Sequence, residues 1–164
     1  MKRLLLTAAL LLPLSVAAFG QPQPPGSAPA KNGRASFKFG DAQFDYGKVS
    51  GFFMQAGGYT SVNVMFSKDG SEAGDRLAVG LNIQKPGPVD MNQPMAASID
   101  YRAGGTFYTY QKGKSQCTVT VTKLTPTTVE GTAECPVLNE QGGSRTRALT
   151  GLKFFATTAV GGVN

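Results

Sequence analysis

The sequence predicts an all-β fold, an antiparallel β-sandwich or small closed β-barrel of about nine or ten short strands with a disulfide-clasped hairpin. Three observations carry this reading. Apolar residues recur at every second position in short runs bounded by Gly, Pro, Asn and Asp, the pattern of half-buried strands. Twenty-one glycines, and no window with a helical apolar repeat, argue against long helices. Two cysteines, the only ones in the chain, bracket an alternating Thr/Val run.

The runs follow in order. Phe37 and Phe39 share one face of 36–39, and Phe44 and Tyr46 share one face of 43–48. Val62, Val64 and Phe66 align over 59–66, and Leu77, Val79, Leu81 and Ile83 align over 76–83. Ala97, Ile99 and Tyr101 align over 96–102, and Tyr108 and Tyr110 over 106–111. The last run, 146–156, is apolar on both faces near Leu152, Phe154 and Phe155, as a central strand can be. Residues 86–96 read as a Pro-bounded loop with at most a short helical turn.

Segment 117–135, CTVTVTKLTPTTVEGTAEC, fixes its own register. If Cys117 faces Cys135, then Val119 faces Ala133 and Val121 faces Gly131. On the opposite face Thr118 meets Glu134, Thr120 meets Thr132 and Thr122 meets Glu130. The turn then falls on Thr125-Pro126-Thr127. One register satisfies turn, alternation and cysteine pairing, and a one-residue slip would spoil all three. The expectation is a structural Cys117–Cys135 disulfide. The threonines are expected to be the wet face of this hairpin rather than a water-ordering array.

Residues 1–20 read as a cleaved export signal. Lys2 and Arg3 precede an apolar run, Leu4 to Ala18, that is too short to span a bilayer comfortably, and small residues place cleavage after Ala18 or Gly20. The style of the segment is bacterial, so the expected location is periplasmic or secreted, with no transmembrane span after cleavage. Residues 21–35, with Pro22, Pro24, Pro25 and Pro29, read as a disordered tether. Residues 36–164 form the expected single β domain.

Loss of Lys2 and Arg3 lowers the formal charge from +6 to +4, an ordinary solubility charge with scattered basic residues. The chain has no His and no Trp. Triads with histidine, Cys-His dyads and imidazole metal sites are thereby excluded.

Candidate sites are few. Asp69, Glu72 and Asp75 gather carboxylates in the loop 68–75, but the spacing fails the EF-hand pattern at Ala73 and Gly80. It remains a weak candidate for a hard cation, and no metal or other cofactor is expected. Gly113-Lys114-Ser115 lacks the upstream glycine and following helix of a phosphate loop. Asp100 and Arg102, and Glu130 and Glu134, read as surface charge rather than as a catalytic acid pair.

Tyr108, Tyr110, Lys112 and Lys114 interleave aromatics with cations and are the expected ligand face. The functional expectation is a non-enzymatic exported binding or envelope-associated module, with an anionic envelope component or a protein as partner and nucleic acid disfavoured. The alternatives are an inhibitor of a secreted enzyme, which a rigid protruding loop 86–96 would favour, and a small carboxylate-dependent hydrolase or lyase using only carboxylates and tyrosine.

Overall fold

The computed structural model describes residues 27–71 and 73–158. The expected signal segment, the first part of the expected tether and residues 159–164 lie outside them.

All described regular structure is β-strand, joined as one antiparallel eleven-stranded sheet. The strands are β1 (Ser27–Phe39), β2 (Ala42–Tyr46), β3 (Lys48–Ala56), β4 (Tyr59–Ser67), β5 (Arg76–Ile83), β6 (Gly87–Val89), β7 (Ala97–Ala103), β8 (Thr106–Thr109), β9 (Gln116–Thr125), β10 (Thr128–Glu140) and β11 (Thr146–Thr158).

Followed from neighbour to neighbour, the ladders of β1, β3, β4, β5, β7, β8, β10 and β11 return to β1. The closing step is the narrowest. β8 meets β10 only at Thr109↔Asn139 and Tyr108↔Glu140, with the Gln141 amide donating to the Phe107 carbonyl at 2.8 Å. β2 hangs on the end of β1, β9 runs along β10, and β6 lies on the outer edge of β9.

Two hairpins, β3–β4 and β7–β8, turn on Gly57-Gly58 and Gly104-Gly105. All four glycines have positive φ, as a two-residue type I′ turn requires. Inside β3, Gly51 has φ 124°, and a Cβ there would run into the Asn63 carbonyl of the neighbouring strand. Only glycine lets these strands approach so closely.

The interior is filled by the period-two apolar positions. Leu77, Val79 and Ile99, Val62, Val64 and Phe66, and Val119, Leu138, Leu149 and Leu152 are fully buried. An aromatic cluster occupies one part of the core. Phe37 stacks on Phe44 with ring centroids 5.4 Å apart and meets Tyr101 edge-on at 5.2 Å. Phe39 touches Tyr101 at 4.5 Å and Tyr108 at 5.1 Å. The Tyr46 and Tyr101 hydroxyls lie 3.0 Å apart inside this cluster and satisfy each other. Burial pushes both phenols above the ordinary tyrosine range.

The hairpin register holds over most of its length. Val119 faces Ala133, Val121 faces Gly131, Thr120 faces Thr132 and Thr118 faces Glu134. Cys117 and Cys135 are joined by a disulfide. Near the turn the expectation fails, because a bulge places Lys123 rather than Thr122 opposite Glu130. The Lys123 ammonium then reaches the Glu130 carboxylate at 3.3 Å.

Three further expectations are corrected. Residues 27–35 are not tether but the first part of β1, because Ala30 and Ala35 are buried and Pro29 sits near the strand's start, where a missing N–H is tolerated. β3 is a full strand that alternation did not mark, since Phe52 and Phe53 are adjacent and Gly51 interrupts the pattern. The loop 86–96 has no helical turn, and its first residues instead pair with β9.

The disulfide closes a span of 18 residues. Replacing both Cys117 and Cys135 with Ala is expected to lower unfolding free energy by about 3 kcal/mol on the loop-entropy argument. Urea titration of the two proteins checks this, and equal midpoints would contradict it.

Candidate functional site

The four residues of the expected ligand face have different surroundings. Tyr108 points inward against Phe39 and is only 4% exposed. The Tyr110 hydroxyl donates to the Met91 carbonyl at 3.1 Å. The Lys112 ammonium donates to the Asn92 carbonyl at 2.8 Å. Lys114 is exposed on the intervening turn, whose amide donates to the Gln111 carbonyl at 3.0 Å. Two of the four residues therefore hold another part of the chain, the loop between β6 and β7.

The carboxylate loop is likewise engaged internally. Asp69 accepts from the Ser71 amide at 2.8 Å, and Asp75 accepts from the Gly104 amide at 2.7 Å. Both line a groove with Asp45, whose carboxylate is bidentate to Arg34 and held below the ordinary range by that guanidinium. Glu72 lies outside the described residues. Among the described residues no group of three His, Cys, Asp or Glu side chains is placed to hold a metal ion.

Asp100 is more enclosed than a surface acid. Burial pushes its carboxyl above the ordinary range, against a hydrogen bond from Ser98. Glu130 is paired with Lys123, and Glu134 accepts from the Gly151 amide at 2.8 Å.

What the structure does assemble is the loop 90–96. It consists of two successive turns. Asp90 opens the first, its carbonyl accepting from the Gln93 amide at 3.1 Å and its carboxylate from the Asn92 amide at 2.9 Å. Gln93-Pro94-Met95-Ala96 is the second, closed by the Ala96 amide donating to the Gln93 carbonyl at 3.3 Å. The loop is fixed at both ends. Met91, 8% exposed, plugs into the core, and the Asn82 amide donates to the Ala96 carbonyl at 2.9 Å. Tyr110 and Lys112, on the β8–β9 connection, hold its first turn at the Met91 and Asn92 carbonyls. A cavity of about 460 Å³ beneath it is lined by Met91, Asn92, Tyr110, Cys117 and Glu134, so the disulfide supports the same region.

At the tip stands Met95. Its φ is +64°, and it is the one non-glycine residue with positive φ among the described residues. Pro94 occupies the second turn position, and the third has the positive φ of a type II turn, which Gly or Asn ordinarily supplies. Here it carries a flexible thioether that is 85% exposed. Holding an L-residue in this conformation costs about 1–2 kcal/mol. A large apolar side chain is thus held away from the core at an energetic cost, by a loop with four separate ties.

Known protein families, curated proteins and solved structures offer no match to this chain.

Asn tolerates positive φ through its short polar side chain. Met95→Asn is therefore expected to raise unfolding free energy by about 0.5–1 kcal/mol, read as a higher midpoint in denaturant titration. A lower midpoint would mean that Met95 packs against its own chain.

Proposed function

We propose that this protein is a non-enzymatic binding module of the exported compartment that engages a protein partner through the loop 90–96, with Met95 as the inserted side chain. The single observation carrying this reading is the exposed, positive-φ Met95 on a loop tied down by Tyr110, Lys112, Met91 and Asn82. Backbone strain at an exposed apolar residue has no benefit to folding, and strained residues cluster where a surface meets something else.

The physics of the contact favours an apolar pocket on the partner. Met is unbranched and polarisable and adapts to irregular apolar cavities. Pre-organisation removes the ordering cost that a free loop would incur on binding. The narrower form of the same reading is inhibition of an exported enzyme, with the loop seated in the enzyme's cleft. The Cys117–Cys135 disulfide is compatible with an oxidising compartment, and the Lys2–Ala18 segment supports export.

A photo-reactive amino acid at position 95 tests this directly in cells making the full chain. The expected result is one dominant protein adduct from position 95 and none from Tyr59, an exposed residue in the β3–β4 hairpin. The same set of adducts from both positions, or none from 95, would contradict the reading.

A further inference from the structure

The outer face of β9, β10, β11 and β1 carries a second feature, unrelated to the loop. An open groove of about 420 Å³ lies there, and its floor is set by the strand registers. Phe155 on β11 is flanked by Arg34 on β1 and Glu130 on β10. Two residues earlier on the same face, Lys153 is flanked by Ser36 and Thr132. Neighbouring strands are about 4.8 Å apart and alternate residues about 6.7 Å apart. The two rows therefore form a compact patch, with Thr122 of β9 at its border.

The groove's charges are unequal in their engagement. Arg34 is bidentate to Asp45, and Glu130 is paired with Lys123. Lys153 forms no ion pair among the described residues. Beside it Phe155 is 39% exposed among hydroxyl-bearing and charged residues. The groove thus offers an apolar plate, hydroxyl groups at Ser36, Thr122 and Thr132, and one cation without a counter-ion.

We infer that this groove binds an acidic saccharide, a pyranose ring with an anionic substituent. The apolar face of the ring would lie on Phe155, its hydroxyls against the Ser and Thr side chains, and its anionic group on Lys153. Flat apolar contact plus a few polar groups fixing orientation is the general composition of small-ligand sites. Charge complementarity selects the occupant. An anionic substituent gains a charge-assisted contact with Lys153 that a neutral sugar or a purely apolar ligand does not.

The test is titration calorimetry of the exported chain with a hexuronate trisaccharide, a sulfated disaccharide and a sialylated trisaccharide, each beside a neutral oligosaccharide of similar size. The expected result is saturable binding of at least one acidic sugar, at least about tenfold tighter than its neutral counterpart and weakened by added salt. The arm that binds distinguishes a carboxylate from a sulfate ester. Phe155→Ala and Lys153→Gln should each weaken it about tenfold, while Lys48→Gln, outside the groove, should leave it unchanged. Both groove positions are on the surface, so unaltered circular dichroism is expected for the two variants. Equal affinity for neutral sugars, indifference to both substitutions, or no binding by any acidic sugar at millimolar concentration would each overturn the inference.

Discussion

Strand β10 is the member on which the rest of the sheet depends, because both of its edges are shared. One edge pairs with β11 from Thr128 to Asn139. The other pairs first with β9 and then, at Asn139 and Glu140, with β8. The change of neighbour comes shortly after an irregularity in β10. Val129, Gly131, Ala133 and Cys135 are buried at alternate positions, and the next buried residue, Leu138, comes three positions later. Between them sits Pro136, which has no N–H to donate, at the irregularity between Glu134 and Val137 in the β9 ladder. The β9 ladder resumes once past this bulge, at Val137↔Gln116, where β9 begins, and the last residues of β10, Asn139 and Glu140, then pair with β8 and close the circuit. The disulfide secures β9 at the point where its ladder would otherwise fray.

The loop inherits its pose from this arrangement. β9 is held to β10 by the ladder and by Cys117–Cys135, and β6 is held to β9 at Gly87, Pro88 and Val89. The loop leaves β6 and returns into β7, so both its ends belong to the sheet. Tyr110 and Lys112, on the chain running from β8 into β9, tie its first turn. A side chain on so many supports cannot relax its backbone by moving the loop. The positive φ of Met95 is therefore kept, and the thioether stays outside. The groove around Phe155 depends on β10 in a different way, through the rows that its register with β11 sets side by side.

The hairpin was legible because several constraints coincide on one register: paired cysteines, alternating valines and a proline turn. It failed only at Lys123, where a bulge adds a residue that alternation does not announce. β3 escaped notice because Gly51 and the adjacent Phe52-Phe53 break the period, although their meaning is close approach to β4. The start of β1 is not legible because prolines dominate the composition of 21–35, while Ala30 and Ala35 give no strong apolar signal. The direction of Tyr108 is not legible in alternation, because an aromatic strand face looks alike from either side and its neighbour Phe39 lies far away in sequence. The partners of Tyr110 and Lys112 are loop carbonyls, which no side-chain pattern reveals. For Met95 the available signal is Pro94 before it, which marks the second position of a turn but suits type I and type II alike, and only type II needs positive φ at the next residue. For the groove it was Phe155 following Phe154, an aromatic pair that puts one ring on each face of β11.

The central claim is that the loop 90–96 is held rigid in the free protein. Amide hydrogen exchange in the oxidised chain tests it most directly, at the Ala96 amide that closes the Met95 turn and the Asn82 amide that binds the loop's end. The account expects both to exchange far more slowly than in an unstructured peptide, with Asn82 as protected as its neighbours in β5. Exchange at the unstructured rate at Ala96, with the strands still protected, would show that nothing holds Met95 in place and would contradict it.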